Sequence, residues 1–352
     1  MFAQFSLPAL LLLFVGAAGM VWGAGIWISN ATDVLTAKLK LGEALGGLIF
    51  LAVATNLPEM AITFSAAREG RLGVAVGNLL GGIAIQTVVL ALLDALGSRR
   101  KQPLTARVGS LSLVIEGVLV IALLSAVVMG VNLPASLIWA RVTPGGVLIL
   151  GLWIAGVWLI GKSRDGLPWK ADGRDEPSAA SDAPKPEHRW GTRRSVFLLA
   201  VGGALTLGGG VLLERAGDAI AGRLGLSGVL FGATALAAAT AVPELSTGLA
   251  SVKKGKDALA ISDIFGGNAF LPVLFLLATV VSGKAVLPQA DRSDVYLTAL
   301  AILLTTVYVC GLLFRPKRRV LGMGIDSLVV AVLYVVGIIG LVALAQATSG
   351  TR

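Results

Sequence analysis

Two glutamates lie inside apolar sequence, and each directly follows a proline. The segment ATNLPE places Pro58 before Glu59, and the segment ATAVPE places Pro243 before Glu244. An ionised carboxylate is costly in apolar surroundings unless it is paired. Carboxylates inside membrane spans therefore commonly mark paired sites or ion paths. Proline interrupts a helix, because it has no N–H to donate and its ring clashes with the preceding turn. A charge and a helix break at the same point indicate an ion-binding site rather than simple packing.

Both segments also supply neutral oxygen atoms. The carbonyls of Ala54 and Ala239, four residues before the prolines, lose their helical N–H partner and can instead accept from water or protein, or bind a cation. Thr55 and Thr240 add hydroxyl oxygens beside them. Ca²⁺ prefers several oxygen ligands in flexible geometry, whereas Mg²⁺ holds its own water more strongly. The residue types therefore favour a calcium site.

The two segments belong to an internal repeat. Residues 53–85 resemble residues 238–270 at a constant offset of 185 residues without a gap. If the two halves fold onto each other, Glu59 and Glu244 meet near the membrane midplane. Two carboxylates in a dry cavity repel each other, and a divalent cation removes that conflict. Without the divalent cation, sodium ions or protons must neutralise the same charge, which is the physical basis of exchange.

The composition is typical of a membrane protein with many spans. Of the 352 residues, 56% are hydrophobic and only 14% are charged, with a mean hydropathy of +0.86; soluble domains carry roughly 25% charged residues. A span needs about 20 apolar residues, and the chain has ten such stretches, which predicts an all-α fold of ten transmembrane helices. They lie at roughly 8–30, 43–67, 72–97, 106–129, 136–161, 195–214, 226–252, 258–282, 294–314 and 324–347.

A polar segment divides the chain into two halves. Residues 162–194 are rich in Pro, Ser, Asp, Lys and Arg, which predicts a solvated linker. It separates a first five-helix repeat at 1–161 from a second at 195–352. Because five is odd, the second half crosses the membrane in the opposite sense. The halves then form an inverted repeat, as in many secondary transporters.

Positive charge predicts the orientation. On the ten-helix topology, most of the Lys and Arg residues fall on the side of the membrane that carries the central linker. The positive-inside rule places this side in the cytoplasm and both termini outside, in the plasma (inner) membrane. The net charge of +9 is therefore a topology signal, and we expect the lipid bilayer and inorganic cations as partners, with no nucleic acid.

Other chemistry is disfavoured by the residue types. The single histidine, His188, lies in the linker, and the single cysteine is Cys310, so the helices offer no Ser–His dyad and no Cys/His metal cluster. We expect no enzymatic activity and no cofactor. A channel is disfavoured because the inverted repeat suits alternating access.

Four further acids lie in or near the apolar stretches. Asp94 and Asp326 are close to predicted helix ends and are expected to be solvated. Glu116, whose repeat counterpart is Ala301, either forms a local structural pair or belongs to an accessory site. Asp263, near the start of the eighth predicted helix, either lines the cation path or caps that helix.

At this point the motifs resemble those of the calcium/cation antiporter superfamily, which includes the sodium/calcium exchangers. The two α-repeats of that family, here about 43–97 and 226–282, read GTSLPE and then GNxxGSNxxN. Here they read ATNLPE with GNLLGGIAIQ, and ATAVPE with SDIFGGNAFL. The resemblance covers nearly the whole chain. The cation ligands that it implies are Glu59, Glu244, Thr55, Thr240, Asn56, Gln86 and the backbone carbonyls of Ala52 and Ala237; residues expected to line the path or pack beside it are Asn78, Asp263 and Asn268.

The sequence departs from the family pattern at several hydroxyl positions. The departures are Asn56 and Ala241 for the serine after threonine, Gly82 and Gly267 for the serine of GSN, and Leu271 for the last polar residue of the second repeat. The glutamates are kept, while hydroxyls that would serve sodium are absent. The predicted function is a secondary active antiporter that exchanges a divalent cation, foremost Ca²⁺, for Na⁺ or H⁺ by alternating access. The alternative is a monovalent cation/proton antiporter on the same scaffold.

Overall fold

A computed structural model describes residues 2–39, 56–97, 102–164 and 190–349. These residues are almost wholly helical, and their strands form one two-stranded antiparallel ribbon, β1 (Arg319–Val320) with β2 (Met323–Gly324). The helices are α1 (Leu7–Leu39), α2 (Leu57–Arg68), α3 (Leu72–Gly97), α4 (Leu104–Arg107), α5 (Leu111–Val131), α6 (Pro144–Arg164), α7 (Thr192–Leu224), α8 (Gly228–Phe231), α9 (Ala237–Thr240), α10 (Val242–Lys253), α11 (Asp257–Phe270), α12 (Leu274–Ser282), α13 (Arg292–Phe314) and α14 (Ile325–Ser349). Single turns lie at Phe2–Gln4, Gly232–Leu236, Leu271–Val273 and Leu287–Gln289.

Eight helical segments of the described residues are long and apolar enough to cross a membrane, and a bent unit from Gly228 to Lys253 makes a ninth if it is one span. Eight of the ten predicted spans therefore have a counterpart, or nine if the bent unit is one span. The remaining prediction, at 43–67, is described only from Asn56 onward. Most of the predicted linker, residues 165–189, also lies outside the described ranges.

Two predicted boundaries are wrong. The fifth predicted helix begins later, at Pro144, because Ala140 and Arg141 have positive φ angles of 48° and 61° and cannot continue a right-handed helix. Proline is well suited to the first helical position that follows. The sixth predicted helix runs further, to Leu224, where Gly225 adopts a φ of 66° and ends it with a left-handed cap.

Helices α1 and α7 pack through small residues at matching positions. A Cβ on Gly209 would lie 3.5 Å from the carbonyl oxygen of Ala17, and a Cβ on Gly202 would lie 3.2 Å from that of Ala24. With the offset of 185 residues, Gly209 corresponds to Ala24 and Gly202 to Ala17. The offset therefore converts each of the two contacts into the other, as expected for helices related by a two-fold axis.

The same two helices cross over the proline motifs of the opposite halves. A Cβ on Gly25 of α1 would lie 3.2 Å from the Cβ of Pro243, and a Cβ on Gly210 of α7 would lie 3.0 Å from the carbonyl oxygen of Pro58. Gly25 and Gly210 are again repeat counterparts. A side chain at Gly210 would clash with α2, where its Cβ would lie 2.7 Å from the Cβ of Ala61, and one at Gly25 would crowd Pro243.

The centre of the fold is the crossing of α3 with α11. The amide nitrogen of Asn268 lies 3.4 Å from the carbonyl oxygen of Ile83, its own repeat counterpart. A residue that contacts its counterpart lies near the axis relating the two halves. A large apolar cluster from α3, α5, α6 and α11 to α14 surrounds this crossing.

The prediction that Asp94 and Asp326 are solvated is wrong, since both are buried. Asp94 accepts hydrogen bonds from the backbone N–H groups of Leu104 at 2.8 Å and Gly324 at 2.6 Å. Asp326 accepts from the hydroxyl of Thr105 at 2.6 Å. The two carboxylates thereby link α4 to α3, to the start of α14 and to the ribbon before it, and burial is tolerated because each has donors.

Candidate functional site

Glu59 lies in the first turn of α2 and is fully buried. The helix begins at Leu57, and Pro58 occupies its second position, where a missing N–H costs no helical hydrogen bond. The positive end of the helix dipole therefore lies beside the Glu59 carboxylate. Among the described residues, neither of its oxygens has a hydrogen-bond partner in good geometry.

Glu244 repeats this arrangement in α10. The helix begins at Val242 after a bend of 42° from the preceding helical unit, with Pro243 in its second position. Glu244 is 7% exposed, and its Oε2 has no hydrogen-bond partner in the described part of the chain. Each half thus presents one buried carboxylate in the first turn of a helix.

The two carboxylates are close enough for their charges to repel each other. The hydroxyl of Thr240 lies near the Glu59 carboxylate. No lysine or arginine within the described ranges is paired with either glutamate. Burying charges without a counter-charge costs several kcal/mol per ion (about 3–5 kcal/mol when a buried pair loses one partner). A bound cation removes that cost.

Thr240 ends α9 directly before the bend. Its hydroxyl donates to the carbonyl oxygen of Ala237 at 3.2 Å, and the same oxygen accepts the N–H of Ala241 at 3.0 Å. The Ala237 carbonyl is therefore engaged twice, and it can turn one lone pair to a cation only if the Thr240 hydroxyl rotates away. The equivalent residues of the first half, Thr55 and Ala52, lie outside the described residues.

Asn56 and Gln86 meet at Gly267. A Cβ on this glycine would lie 3.4 Å from the Nδ2 of Asn56 and 3.6 Å from the Oε1 of Gln86. Both amides are buried, and within the ranges the structure covers, the Gln86 Oε1 accepts no hydrogen bond. Since Asn56 precedes Glu59 by three residues, the two amides form a polar wall within one helical turn of the carboxylate.

The equivalent wall of the second half is aliphatic. A Cβ on Gly82 would lie 3.4 Å from the Cδ1 of Leu271, and these two residues are the repeat counterparts of Gly267 and Gln86. The counterpart of Asn56 is Ala241, which is also buried. The surroundings of the glutamates are therefore polar on one side and apolar on the other.

The three residues predicted to line the path or to pack beside it have different surroundings. Asn78 is fully buried at the crossing of α3 with the turn after α8, and neither polar atom of its amide has a partner among the described residues. Asp263 is half-buried, and its charge repels that of Glu244. Asn268 lies against α3, within 3.4 Å of a backbone carbonyl and of the hydroxyl of Thr87.

Glu116 has a partner on another helix. It lies buried in α5, and its Oε1 accepts a hydrogen bond of 3.0 Å from Ser262 of α11, the residue next to Asp263. The sequence predicts Glu116 inside a span, but it does not predict Ser262 as the partner, because the repeat counterpart of Ser262 is a glycine.

A buried ion pair that was not predicted from the sequence joins α7 to the loop between α2 and α3. Glu214 of α7 is fully buried, and its Oε1 lies 2.7 Å from the Nε of Arg71. Arg71 also contacts Asp218 at 3.1 Å and Glu69 at 2.6 Å, and Ser65 donates to Glu214 at 3.1 Å. A glutamate inside the apolar run GGGVLLERAG was the available signal.

A helical membrane protein whose two halves each bring one buried carboxylate to the centre has the architecture of a secondary transporter. The chain belongs to the sodium/calcium exchanger protein family, whose family model matches residues 8–161 and 194–343. It is therefore an integral membrane protein of a cation antiporter family, which confirms the resemblance found in the motifs.

Similar proteins cover most of the chain. It is 28% identical over 320 residues to the protein named "Putative antiporter CaxA" of Alkalimonas amylolytica, covering 89% of this chain and 93% of that protein. It is 27% identical over 292 residues to inner membrane protein YrbG of Escherichia coli K12, covering 82% and 84%. Among solved structures, the sodium-calcium exchanger NCX_Mj, soaked with Na⁺ and Sr²⁺, matches with a TM-score of 0.61 at 18% identity, over 95% of this chain and 98% of the other. That last likeness shows the fold.

Proposed function

We propose that this protein is a secondary active antiporter that exchanges Ca²⁺ for H⁺ or Na⁺ by alternating access, with Glu59 and Glu244 as the central cation-binding carboxylates. The observation that carries the proposal is the pair itself: two buried carboxylates, one from each half, that repel each other and have no counter-charge among the described residues. A divalent cation matches their combined charge. Without it, the doubly negative site is costly to enclose, so it crosses the membrane only after other cations neutralise it.

The remaining ligands in this proposal are neutral oxygens. Ca²⁺ takes six to eight oxygens at flexible geometry, and the carboxylates supply up to four of them. The proposed neutral ligands are the hydroxyls of Thr55 and Thr240, the side-chain oxygens of Asn56 and Gln86, and the carbonyls of Ala52 and Ala237. The polar wall of Asn56 and Gln86 supports this set, because the Gln86 Oε1 has no other partner in the described residues.

The aliphatic wall favours protons over sodium as the counter-ion. Leu271 faces Gly82 where an oxygen ligand would be needed to complete a set of sodium sites. A proton needs no such set, because it neutralises a carboxylate by forming an O–H bond. We therefore infer that a pH gradient drives calcium transport more effectively than a sodium gradient.

The orientation in this proposal follows the charge distribution. The linker at 162–194 lies in the cytoplasm with the other basic loops, both termini lie outside, and the membrane is the plasma (inner) membrane. The two repeats at 1–161 and 195–352 act as the inverted halves that expose the site in turn to each side.

A second candidate is a monovalent cation/proton antiporter on the same scaffold. The aliphatic wall favours it too, because a site with fewer oxygens can serve a single monovalent ion. This alternative predicts that the protein exchanges Na⁺ or K⁺ for H⁺ and moves no calcium.

Flux in proteoliposomes tests the proposal. Purified protein is reconstituted, and uptake of ⁴⁵Ca²⁺ is measured under an imposed pH gradient, under a sodium gradient and under neither. We expect uptake above that of protein-free liposomes with the pH gradient, and less with sodium. Absence of calcium uptake under both gradients, together with sodium or potassium flux coupled to protons, would contradict the proposal and support the alternative.

A further inference from the structure

The ribbon between α13 and α14 is fixed at one end of the helical bundle. Strand β1 pairs with β2, and the backbone N–H of Gly324 donates to the carboxylate of Asp94, near the end of α3, at 2.6 Å. The side chain of Arg319 donates to the carbonyl oxygen of Gly322 and closes the turn of the ribbon. Because α13 and α14 are both long and apolar enough to span a membrane, the ribbon lies where these spans leave the bilayer.

The turn of the ribbon carries an exposed leucine in a strained conformation. Leu321 and Gly322 connect the two strands, with φ angles of 53° and 86°. Two-residue turns with positive φ at both positions favour Asn-Gly, because larger side chains are crowded in the left-handed region. Leu321 is 82% exposed. Packing within the described part of the chain therefore does not offset the strain.

Positive charge surrounds this turn. Residues 315–325 read RPKRRVLGMGI, with four basic residues and no acid. Lys317 and Arg318 are exposed, whereas Arg315 lies against Gly109, where a Cβ would be 3.0 Å from the arginine Nη2. An apolar tip beside exposed cations is the combination by which interfacial segments bind anionic membranes.

The helix ends beside the ribbon are apolar as well. Phe314, the last residue of α13, is 83% exposed, and Ile325, the first residue of α14, is 39% exposed. A basic segment directly after a membrane span faces the phosphate layer of the adjacent leaflet. At the offset of 185 residues the ribbon corresponds to residues 130–140, which contain no Lys or Arg. The first half therefore has no basic segment at the equivalent position.

We propose that the ribbon binds anionic phospholipids of the leaflet on its side of the membrane, with phosphates at Lys317 and Arg318 and the Leu321 side chain inserted beneath them. Insertion removes apolar surface from water and so offsets the left-handed conformation of Leu321. The two cations attract anionic headgroups that lie within a Debye length of them. This surface does not depend on which ion the protein transports.

Thermal unfolding of the purified full-length protein tests the charge contribution. The Tm is measured in detergent alone, with added phosphatidylcholine, and with added phosphatidylglycerol of the same acyl chains. We expect phosphatidylglycerol to raise the wild-type Tm by about 2–4 °C more than phosphatidylcholine does. The double variant Lys317→Gln with Arg318→Gln should lose most of this difference.

A second basic loop on the same face supplies the matched control. Residues 253–256 directly precede Asp257, which pairs with Arg107 of α4 at 3.3 Å, and Leu104 of α4 donates to the same Asp94 carboxylate that holds the ribbon. The double variant Lys253→Gln with Lys254→Gln removes two exposed charges from this loop. It should keep the response to phosphatidylglycerol.

Leu321→Asn separates turn conformation from insertion. Asparagine suits the left-handed position, so this variant should melt above the wild type in detergent alone. It should nevertheless gain less from phosphatidylglycerol, because the amide does not insert.

Insertion is measured directly with a nitroxide on Leu321→Cys in a Cys310→Ala background, since Cys310 is exposed. In vesicles that contain phosphatidylglycerol, we expect the nitroxide to collide with oxygen rather than with a water-soluble nickel complex. With Lys317→Gln and Arg318→Gln added, it should become accessible to nickel. A nitroxide accessible to nickel in both proteins would overturn the inference. An equal loss of the lipid response in the 253–256 control, or equal protection by free inorganic phosphate, would overturn it as well.

Discussion

Leu271 and Gly82 face each other across the centre of the fold, where the Leu271 Cδ1 lies 3.4 Å from the position of a Cβ on Gly82. Their repeat counterparts, Gln86 and Gly267, make the matching contact with a polar side chain, at 3.6 Å from the amide oxygen. The Gln86 side chain therefore offers an oxygen that can bind a cation, whereas the Leu271 side chain presents only a methyl group. We attribute the expected preference for protons over sodium to this difference.

Replacing Leu271 by its repeat counterpart tests that attribution. Leu271→Gln should increase calcium uptake driven by a sodium gradient severalfold, because the new amide oxygen adds a ligand on the aliphatic wall. Leu271→Met, which changes shape without adding an oxygen ligand, is the matched control and should behave as the wild type does. The measurement is ⁴⁵Ca²⁺ uptake at a fixed pH with and without a sodium gradient. Equal sodium dependence in all three proteins would show that the aliphatic wall does not set the counter-ion.

The ion pair of Arg71 with Glu214 should matter for stability. Glu214 is fully buried, so Arg71→Gln leaves its charge unpaired, and we expect a loss of about 2 kcal/mol, given that Arg71 is itself partly exposed. The double change Arg71→Gln with Glu214→Gln removes the unpaired charge and should recover part of the loss. The measurement is thermal unfolding in detergent, with the fraction of protein that remains monodisperse recorded at each temperature.

The exposed neighbour supplies the control for this prediction. Arg215 contacts Glu69 at 2.6 Å, but its side chain is 45% exposed, so Arg215→Gln should cost less than about 1 kcal/mol. If Arg71→Gln is no more destabilising than Arg215→Gln, the buried pair does not contribute as described.

Asp94 should stabilise the fold, and the loss of stability in variants should increase with the number of its hydrogen bonds that are removed. Its carboxylate accepts two backbone N–H groups and the hydroxyl of Ser327 at 2.9 Å. Asp94→Ala removes all three bonds and should cost about 3 kcal/mol, whereas Ser327→Ala removes one and should cost about 1 kcal/mol. Melting temperatures of the two variants test the order, and a Ser327→Ala loss as large as that of Asp94→Ala would contradict it.

The helices and the central glutamates could be predicted from the sequence, because both depend on local patterns. Long apolar runs determine spans in a bilayer, and the repeated proline and glutamate predicted two matching carboxylates inside the helical bundle, which are buried. The matching contacts of Gly25 and Gly210 with the prolines of the opposite halves follow the same repeat. A constant offset in the sequence thus carried information about three-dimensional symmetry.

Contacts between distant residues that do not follow the repeat could not be predicted. The pairs Arg71–Glu214 and Glu116–Ser262 join residues about 145 positions apart, and neither pair has a counterpart in the other half. The burial of Asp94 could not be predicted either, since its donors come from α4, β2 and α14, all distant from it in sequence or without a local pattern that marks them as partners. Where the two halves differ, the repeat does not predict which residues are in contact. The chemistry that is particular to this chain lies at those positions.

The most direct test of the two-carboxylate site is ⁴⁵Ca²⁺ exchange by the purified variants Glu59→Gln and Glu244→Gln in proteoliposomes. Glutamine keeps the shape of each side chain and removes its charge, so any loss reports on charge rather than packing. We predict that each variant inserts normally and elutes as the wild type does, yet exchanges calcium no faster than protein-free liposomes. Calcium exchange above one tenth of the wild-type rate in either variant would contradict the account.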